Sequence, residues 1–306
     1  MRPVSTPVCR VCRCAEVANL GTLPDVGYFA GRALAVPLPG GVLYRCRSCY
    51  FVFRHPVLND SDYAQLYRQA GAEVWVSQPR RADFELIWRY LSGLDGSRGA
   101  DVLDVGCYTG QLLASLPQGY GKYGVEPSAA AARLASEQGV VIVADTVQRL
   151  ATLSRQFDVI TACDVIEHLA DPVAFLSTLR DRLRDCGRIV LTTGNADAWL
   201  WKLAGSRYWY CYHPEHISFV GSRSLAAVAA RSGLCVTERI AFNYAGRGGL
   251  SRINALLGAL LYAASPAACQ AVLRQVRGAA AAFVPPGCGA SRDHVLCVLT
   301  RGGTAR

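Results

Sequence analysis

The sequence predicts an α/β protein with a doubly wound, seven-stranded and mostly parallel sheet, preceded by a small cysteine-rich module. Two observations lead to this prediction. From residue 101 onward, short apolar strands alternate with helical segments through Gly or Asp turns. The first 60 residues instead hold two Cys-x-x-Cys pairs, many Pro and Gly, and no long helical period. The ligand site of such a sheet lies at the carboxyl ends of its strands.

The composition is that of a folded chain with a moderate basic charge. Its 306 residues are 51% hydrophobic, and 32 basic against 23 acidic side chains give a net charge of +9. This length and hydrophobic content exclude a disordered chain. The arginines are dispersed without a run of like charge, so we expect small anionic or polar ligands and no nucleic acid. An amino terminus without an apolar signal core, together with unevenly placed cysteines, predicts a reduced, cytoplasmic protein.

The module at residues 1–60 is predicted to bind zinc. It contains the pairs Cys9-x-x-Cys12 and Cys46-x-x-Cys49. Each pair can place two thiolates on one metal ion, and four thiolates form the tetrahedral site that zinc favours. Cys14 is an alternative to Cys12 as a ligand. A zinc ribbon that binds nucleic acid is disfavoured, because the connection between the pairs lacks interleaved basic and aromatic residues.

Residues 61–98 are predicted to link this module to the sheet, which occupies residues 99–306. Apolar residues recur at helical spacing in 62–69 and in 81–94, so two linking helices are expected. Strands are predicted at 101–106, 122–126, 140–144, 157–163, 188–193, 234–242 and 294–301. The main helices between them are predicted at 111–116, 128–137, 172–184 and 222–232.

An insertion at residues 243–292 contains two Ala- and Leu-rich segments. These segments predict a helical hairpin that packs on the sheet or in a dimer interface. The alternative is a peripheral contact of residues 247–277 with a membrane surface or a lipid-linked acceptor. The contacts would then be made by Arg247, Arg252, Arg274 and Arg277.

The sharpest motif is a seven-residue turn that follows the first strand of the sheet. It consists of Asp104, Val105, Gly106, Cys107, Tyr108, Thr109 and Gly110. Glycines at such a turn let the backbone approach a ligand where a helix begins. The turn does not match the GxGxxG fingerprint of dehydrogenases, because Tyr108 stands where the second Gly belongs. Three further carboxylates follow the next three strands, namely Glu126, Asp145 and Asp164.

These four positions together resemble the class I S-adenosylmethionine-dependent methyltransferases, whose first motif is an acidic residue followed by GxGxG or a relaxed GxxxG. The resemblance covers roughly residues 98–242 and the last strand. It implies a Rossmann-like fold and S-adenosylmethionine as the cofactor, held by the turn of residues 104–110. It also implies that Glu126 binds the ribose hydroxyls, that Asp145 and Thr146 lie at the adenine, and that Asp164 lies beside the methionine and methyl groups.

The cysteine module followed by this domain is similar to zinc-containing methyltransferases of sugar-modifying and natural-product pathways, including nucleotide-sugar C-methyltransferases. The similarity implies a sugar-type or natural-product acceptor, methylated on an oxygen or a carbon atom. The alternatives are an O-methyltransferase of a quinone, lipid or polyketide, and a zinc-dependent binding module on a degenerate methyltransferase scaffold.

Members of that group carry a Tyr-, His- and Glu-rich stretch after the fifth strand, and residues 210–216 are similar to it. The resemblance makes His216 the leading candidate for the base that removes the acceptor proton, assisted by Tyr212 or Glu215. His168, in the fourth motif, is the second candidate, because a histidine pKa near neutrality suits proton transfer. The remaining histidines His55 and His294 are interpreted as structural.

Overall fold

The computed structural model describes residues 6–30, 32–69, 81–92, 99–243, 249–277 and 291–302. Its amino-terminal strands are β1 Val17–Thr22, β2 Val26–Phe29, β3 Arg32–Leu38, β4 Val42–Cys46 and β5 Val52–His55. β4 pairs antiparallel with both β1 and β5, while β2 and β3 form a separate two-stranded ribbon. Two helices follow, α1 Asp60–Gln69 and α2 Ala82–Ser92, which confirms the two helices that the periodicity predicts.

The large sheet confirms the predicted doubly wound fold. Its strands are β6 Asp101–Val105, β7 Gly121–Val125, β8 Val141–Ala144, β9 Phe157–Cys163, β10 Leu183–Gly194, β12 Leu234–Phe242 and β13 His294–Arg301. They lie in the order β12-β13-β10-β9-β6-β7-β8, and β13 runs antiparallel to both of its neighbours. The strand order reverses between β6 and β9, and a ligand crevice is expected at the carboxyl ends there.

Helices connect the strands of the large sheet. They are α3 Gln111–Ala114, α4 Ala129–Glu137, α5 Val147–Leu150, α6 Pro172–Asp181, α7 Trp199–Ala204 and α8 Ser222–Arg231. α6 begins sharply because the Asp171 carboxylate accepts the amide of Ala174 at 2.9 Å and Pro172 occupies the first turn. It also ends earlier than the predicted 184, because the chain already enters β10 at Leu183 and pairs with Phe157.

The insertion folds as the predicted helical hairpin, with α9 Gly249–Ala264 and α10 Pro266–Arg277 packed on each other. α9 packs against α7 rather than on the large sheet, and its Ala259 joins an apolar cluster with Trp201 and Tyr208. Side chains on another face of α9 are exposed, namely Ile253, Leu257 and Leu261. Arg247 and the side chains of Arg252, Arg274 and Arg277 lie outside the described residues, so the membrane contact stays a prediction. Among the described helices, none is long and apolar enough to cross a membrane.

A short strand, β11 Ser218–Phe219, connects the two sheets. It pairs antiparallel with β5 and thereby becomes the fourth strand of the amino-terminal sheet. The next residue, Val220, forms a bridge to Asn195 just beyond β10. The buried side chains Phe51 and Phe53 also share one apolar core with residues of the large sheet and its helices. The amino-terminal sheet is therefore packed directly against the segment that precedes β11.

Candidate active site

A cavity of about 1350 Å³ opens at the carboxyl ends of the large sheet. Its wall includes the turn after β6, where Gly106, Tyr108 and Gly110 have φ values of 75°, 50° and 79°. A Cβ on Gly110 would lie 3.1 Å from the Cα of Ala135, so a larger residue at that position would disturb α4. The glycines therefore hold the turn tightly against the sheet and leave the cavity open on its other side.

Glu126 lies directly after β7 and ties two backbone turns together. Its Oε2 accepts the amide of Tyr108 and its Oε1 accepts the amide of Ser128, both at 2.8 Å. Burial raises the pKa of Glu126, and the two amide donors act in the opposite direction. Each oxygen accepts one backbone amide here and can still accept a second donor from the cavity.

Asp104 is buried near the end of β6, where it lines the cavity. Its carboxylate accepts the hydroxyl of Thr161 on β9 at 2.6 Å. Burial raises the pKa of Asp104 to about 7, although the Thr161 hydrogen bond and the Arg81 charge oppose the shift. A carboxyl group that holds its proton near neutrality is unusual, and such groups are concentrated at functional sites.

Asp164 follows β9 in a left-handed conformation with φ 53° and lines the same cavity. Arg81 donates to its carboxylate at 2.8 Å and also to Asp83, which is fully buried in α2. Sequence reasoning missed this pairing, because Arg81 and Asp164 are 83 residues apart. Asp145 and Thr146, after β8, line another part of the cavity, where Asp145 is half exposed and 3.4 Å from Arg149.

A second group of polar side chains lines the cavity beside Asp164. Glu167 accepts the hydroxyl of Tyr210 at one oxygen and the hydroxyl of Thr193 at the other, the latter at 2.8 Å. The amide of Gly194 donates to the Tyr210 hydroxyl at 3.1 Å. Burial raises the pKa of both Glu167 and Tyr210. Glu167 and Tyr210 thus join the end of β10 to the stretch at residues 210–216, and neither was among the sequence candidates.

His216 is buried at the centre of this group. Its Nδ1 lies 2.9 Å from the carbonyl oxygen of Tyr210, so that nitrogen carries the proton and Nε2 carries the lone pair. Its ring lies 5.0 Å from that of His168 and 4.8 Å from that of His213, measured between centroids. Burial, with the charges of those two rings, lowers the pKa of His216 well below its ordinary value. The imidazole is therefore neutral and able to accept a proton.

Two other candidates from the sequence, His168 and Glu215, also line the cavity but have different hydrogen-bond partners. His168 lines the cavity, and its Nδ1 is 2.9 Å from the Tyr67 hydroxyl of α1. Glu215 also lines the cavity and is 2% exposed. Although burial opposes the charged form, His213, whose Nδ1 is 3.7 Å from Oε1, lowers the pKa of Glu215. Its Oε2 is buried without a hydrogen-bond partner among the described residues.

Tyr212 does not lie where the sequence analysis expected it. It is absent from the cavity wall, and its hydroxyl accepts a hydrogen bond from Tyr262 of α9 at 2.6 Å. His294, which was interpreted as structural, instead lines the cavity next to Asp293, with 3.0 Å between its Nδ1 and the carboxylate. Although burial opposes it, this hydrogen bond raises the pKa of His294. The adjacency of Asp293 and His294 was visible in the sequence and was overlooked.

The four predicted cysteine ligands come together in the amino-terminal module. The Sγ atoms of Cys9 and Cys49 are 3.5 Å apart, those of Cys12 and Cys46 are 3.4 Å apart, and all four lie within 4.8 Å of one another. A tetrahedral zinc ion with bonds of about 2.3 Å needs sulfurs about 3.8 Å apart. Cys14 is not in this group, because its Sγ points to the carbonyl of Glu16 at 3.9 Å. The geometry fits a zinc ion and favours Cys12 over Cys14.

A protein-family model described as "Methyltransferase domain" matches residues 79–239, which is more than half of the chain. The chain belongs to this family of methyltransferase domains. It is accordingly an enzyme that uses S-adenosylmethionine as its methyl donor, and the match spans the strand ends that carry Asp104, Glu126, Asp145 and Asp164.

This methyltransferase is similar to curated relatives named ubiquinone biosynthesis O-methyltransferase. The relative from Aeromonas salmonicida is 28% identical over 167 residues, which are 50% of this chain and 69% of that protein. The relative from Cupriavidus pinatubonensis is 26% identical over 169 residues, which are 51% of this chain and 68% of that protein. Among solved structures, magnesium protoporphyrin IX methyltransferase from Synechocystis PCC 6803 with bound SAM has 15% identity and a TM-score of 0.46. That likeness covers 63% of this chain and 94% of the other.

Proposed function

We propose that this methyltransferase methylates a sugar-type acceptor, nucleotide-linked or glycan-bound, on a hydroxyl oxygen or an enolisable carbon. The observation that supports this is Glu215, a buried carboxylate that lines the cavity and whose Oε2 has no donor among the described residues. A buried charged oxygen without a hydrogen bond is costly. A polyhydroxylated acceptor supplies the missing donor and presents further hydroxyls to His168 and His213.

The cofactor is proposed to occupy the part of the cavity along β6, β7 and β8. The turn of residues 104–110 would approach it through backbone, and Glu126 would accept the ribose hydroxyls with the free lone pairs of its two oxygens. Asp145 and Thr146 would lie at the adenine, and Asp164 at the methionine end. When bound, the cofactor supplies a methyl group already activated by the sulfonium charge.

His216 is proposed as the base on the acceptor side. Its neutral imidazole has Nε2 free of the Tyr210 carbonyl, so it can take the proton of an acceptor hydroxyl as the methyl group is transferred. The positive charge that then forms on His216 would be stabilised by the ionised Glu215 across His213. His168 is held by Tyr67 and would lie between the acceptor and the methionine end of the cofactor, where it would contact both.

The cysteine cluster is proposed to bind one zinc ion through Cys9, Cys12, Cys46 and Cys49. Its four sulfurs are at a spacing that suits tetrahedral zinc, and the sheet around them is small. Four-thiolate sites commonly hold such small modules together. The ion would have a structural role, because all four positions of the tetrahedron are filled by protein.

A second acceptor class is favoured by the curated relatives. Both of those cited above are named ubiquinone biosynthesis O-methyltransferase, so an aromatic hydroxyl of a quinol is the competing candidate. The same base geometry would serve it. The difference lies in the acceptor, since a planar quinol makes apolar contacts and offers few hydroxyls to Glu215.

Methyl transfer from deuterated S-adenosylmethionine distinguishes these acceptors. The purified protein would be incubated with a panel of nucleotide sugars and, separately, with a panel of catechols and short-chain quinols, and the products measured by mass spectrometry. We expect a labelled nucleotide sugar and loss of that product in Glu215→Gln. Labelling of quinols alone would replace the sugar acceptor with the second candidate.

A further inference from the structure

The residues proposed to act on the acceptor are held from two sides. The amide of Ile217 donates to the carbonyl of Glu167 at 2.8 Å beside the large sheet, and the amino-terminal module holds the rest of the segment. Residues 211–217 carry His213, Glu215 and His216, and they run directly into β11, which pairs with β5. In register, Ser218 lies opposite Phe53 and Phe219 opposite Val52. The segment is therefore fixed at its carboxyl end by a strand of the module.

One residue of β5 holds most of the segment. The Nη2 atom of Arg54 donates to the carbonyl oxygens of Cys211 at 2.6 Å and of His213 at 3.0 Å. The backbone amide of Arg54 donates to the carbonyl of Ile217 at 3.1 Å. Arg54 is 2% exposed, so these three bonds form away from water. Glu215 and His216 lie between the bonded carbonyls of His213 and Ile217.

Arg54 is in turn connected to both cysteine pairs. Arg10, which follows Cys9, donates through Nη2 to the carbonyl oxygen of Arg54 at 2.5 Å. On the other side, the amide of Cys46 donates to the carbonyl of Phe51 at 2.9 Å, at the start of β5. The geometry of both pairs therefore sets the position of Arg54.

The turn of residues 104–110, on the cofactor side, is held by other hydrogen bonds. The amides of Gly106 and Cys107 donate to the carbonyl of Val125 at 2.9 and 3.2 Å, within the large sheet. Glu126 holds the amide of Tyr108 from the same side. Within the described part of the chain, neither Arg10 nor Arg54 forms a hydrogen bond with that turn. The two halves of the cavity thus have separate hydrogen-bonded anchors.

We infer that Arg54 is a positioning residue through which the metal-bound cysteine module fixes the segment 211–217, while the cofactor turn is held independently. The inference rests on the proposed function in taking this segment as the acceptor side and in taking the four cysteines as zinc ligands. Loss of the Arg54 side chain, or of the metal ion, should loosen residues 211–217 and leave cofactor binding in place. A buried carbonyl that loses its donor favours local opening, because water then replaces the missing hydrogen bond.

Hydrogen–deuterium exchange on the full-length protein tests this inference without an acceptor. The proteins are wild type, Arg54→Met, Arg54→Lys and the control Arg301→Met. Arg301 is a matched control, because its Nη2 also donates to two carbonyls, those of Arg180 and Leu183, at 2.8 and 2.6 Å. Each protein is measured as purified and after zinc is removed by a chelator. Affinity for S-adenosylhomocysteine and bound zinc are measured on the same samples.

In Arg54→Met we expect exchange in residues 211–217 to be at least tenfold faster than in wild type, with exchange in 104–110 and S-adenosylhomocysteine affinity within twofold. Arg54→Lys, which keeps a charged donor nitrogen on a shorter side chain, should recover part of the protection. Zinc removal from wild type should loosen the same segment. In Arg54→Met it should increase exchange little further, because both changes break the same connection between the module and the segment. Arg301→Met should leave 211–217 unchanged.

The inference would be overturned by unchanged exchange in 211–217 in Arg54→Met, or by additive effects of zinc removal and the substitution. A loosening that is equal across the sheet, or that Arg54→Lys does not reduce, would make Arg54 merely structural and would also overturn it. If Arg54→Met does not fold, wild type with and without zinc and Arg54→Lys decide the question. Failure of the sugar acceptor would leave every one of these measurements unaffected.

Discussion

Replacing Glu126 with glutamine tests the cofactor half of the cavity most directly. Oε1 and Oε2 each accept one backbone amide at 2.8 Å, and each has a lone pair left for a ribose hydroxyl. Glutamine keeps one carbonyl oxygen and turns the other position into an NH₂ donor. That donor faces a backbone amide that is also a donor, and it cannot accept a hydroxyl. One charged acceptor is therefore lost and the other loses its charge.

A hydrogen bond to a charged group contributes about 1.5–3 kcal/mol, which corresponds to about a 10- to 150-fold change in dissociation constant. We expect Glu126→Gln to weaken S-adenosylhomocysteine binding by a factor in this range, and Glu126→Ala by at least tenfold. Isothermal titration calorimetry measures both. Methylthioadenosine, which keeps the ribose and lacks the amino acid end, should lose affinity by the same factor, because the broken contact is at the ribose.

The matched control is Glu137→Gln, on the exposed surface of α4, where the carboxylate is 3.5 Å from Arg133. It should leave both affinities unchanged. Thermal unfolding without ligand shows whether the turns at Tyr108 and Ser128 have loosened. An affinity of Glu126→Gln within twofold of wild type would refute the assignment. A much larger loss for S-adenosylhomocysteine than for methylthioadenosine would place the effect at the other end of the cofactor.

Four further substitutions test three separate parts of the structure. The folded-state pKa of Asp104 is raised to about 7, so the folded protein keeps a proton that the unfolded chain releases above about pH 4, and stability should fall between about pH 4 and 7. Urea denaturation at several pH values should show that Asp104→Asn removes this fall in the free energy of unfolding. Parallel pH profiles of that free energy in wild type and Asp104→Asn would contradict the prediction. His216→Ala should lower turnover by about 10² to 10⁴ with S-adenosylhomocysteine affinity nearly unchanged, whereas His168→Ala should reduce both. Near-normal turnover of His216→Ala would move the base to His168 or His213. Cys46→Ser should lose the zinc ion and lower the melting temperature, and metal analysis that finds no zinc in wild type prepared without chelator would remove the zinc site.

The large sheet was predictable because its signals are local. Each buried strand is an apolar run bounded by turn residues. The carboxylate Asp104 lies in the last two residues of such a run, and Glu126 and Asp164 stand directly after one. Parallel strands bring those positions to one edge without any knowledge of side-chain packing. The two-residue strand β11 carried no such signal. It forms by pairing with β5, which lies more than 160 residues earlier in the chain, so no local pattern predicts it.

The acceptor side was predictable only in part, because its contacts join distant segments. Arg54 and Cys211 are 157 residues apart, and nothing near Arg54 in the sequence indicates that its guanidinium is buried against carbonyls. The resemblance named Tyr212 as an assisting residue and did not single out Tyr210. Both lie in a turn of 3₁₀ helix, where residues two positions apart point about 120° apart. Tyr210 therefore faces Glu167, and Tyr212 faces α9.

Because His216 is buried, its proposed role as a base depends on the charges of its neighbours. Full burial keeps the imidazole neutral, which makes it available as a base, and it also opposes the imidazolium that forms once a proton is accepted. A base in such a place works only if a negative charge nearby offsets that cost. In the proposed mechanism the Glu215 carboxylate, which is 2% exposed and has a lowered pKa, would offset part of this cost. The Tyr210 carbonyl would hold the Nδ1 proton in the required tautomer. Both partners belong to residues 210–215, the stretch that Arg54 contacts at Cys211 and His213. If His216 is the proposed base, its strength should therefore depend on how firmly the module holds that backbone.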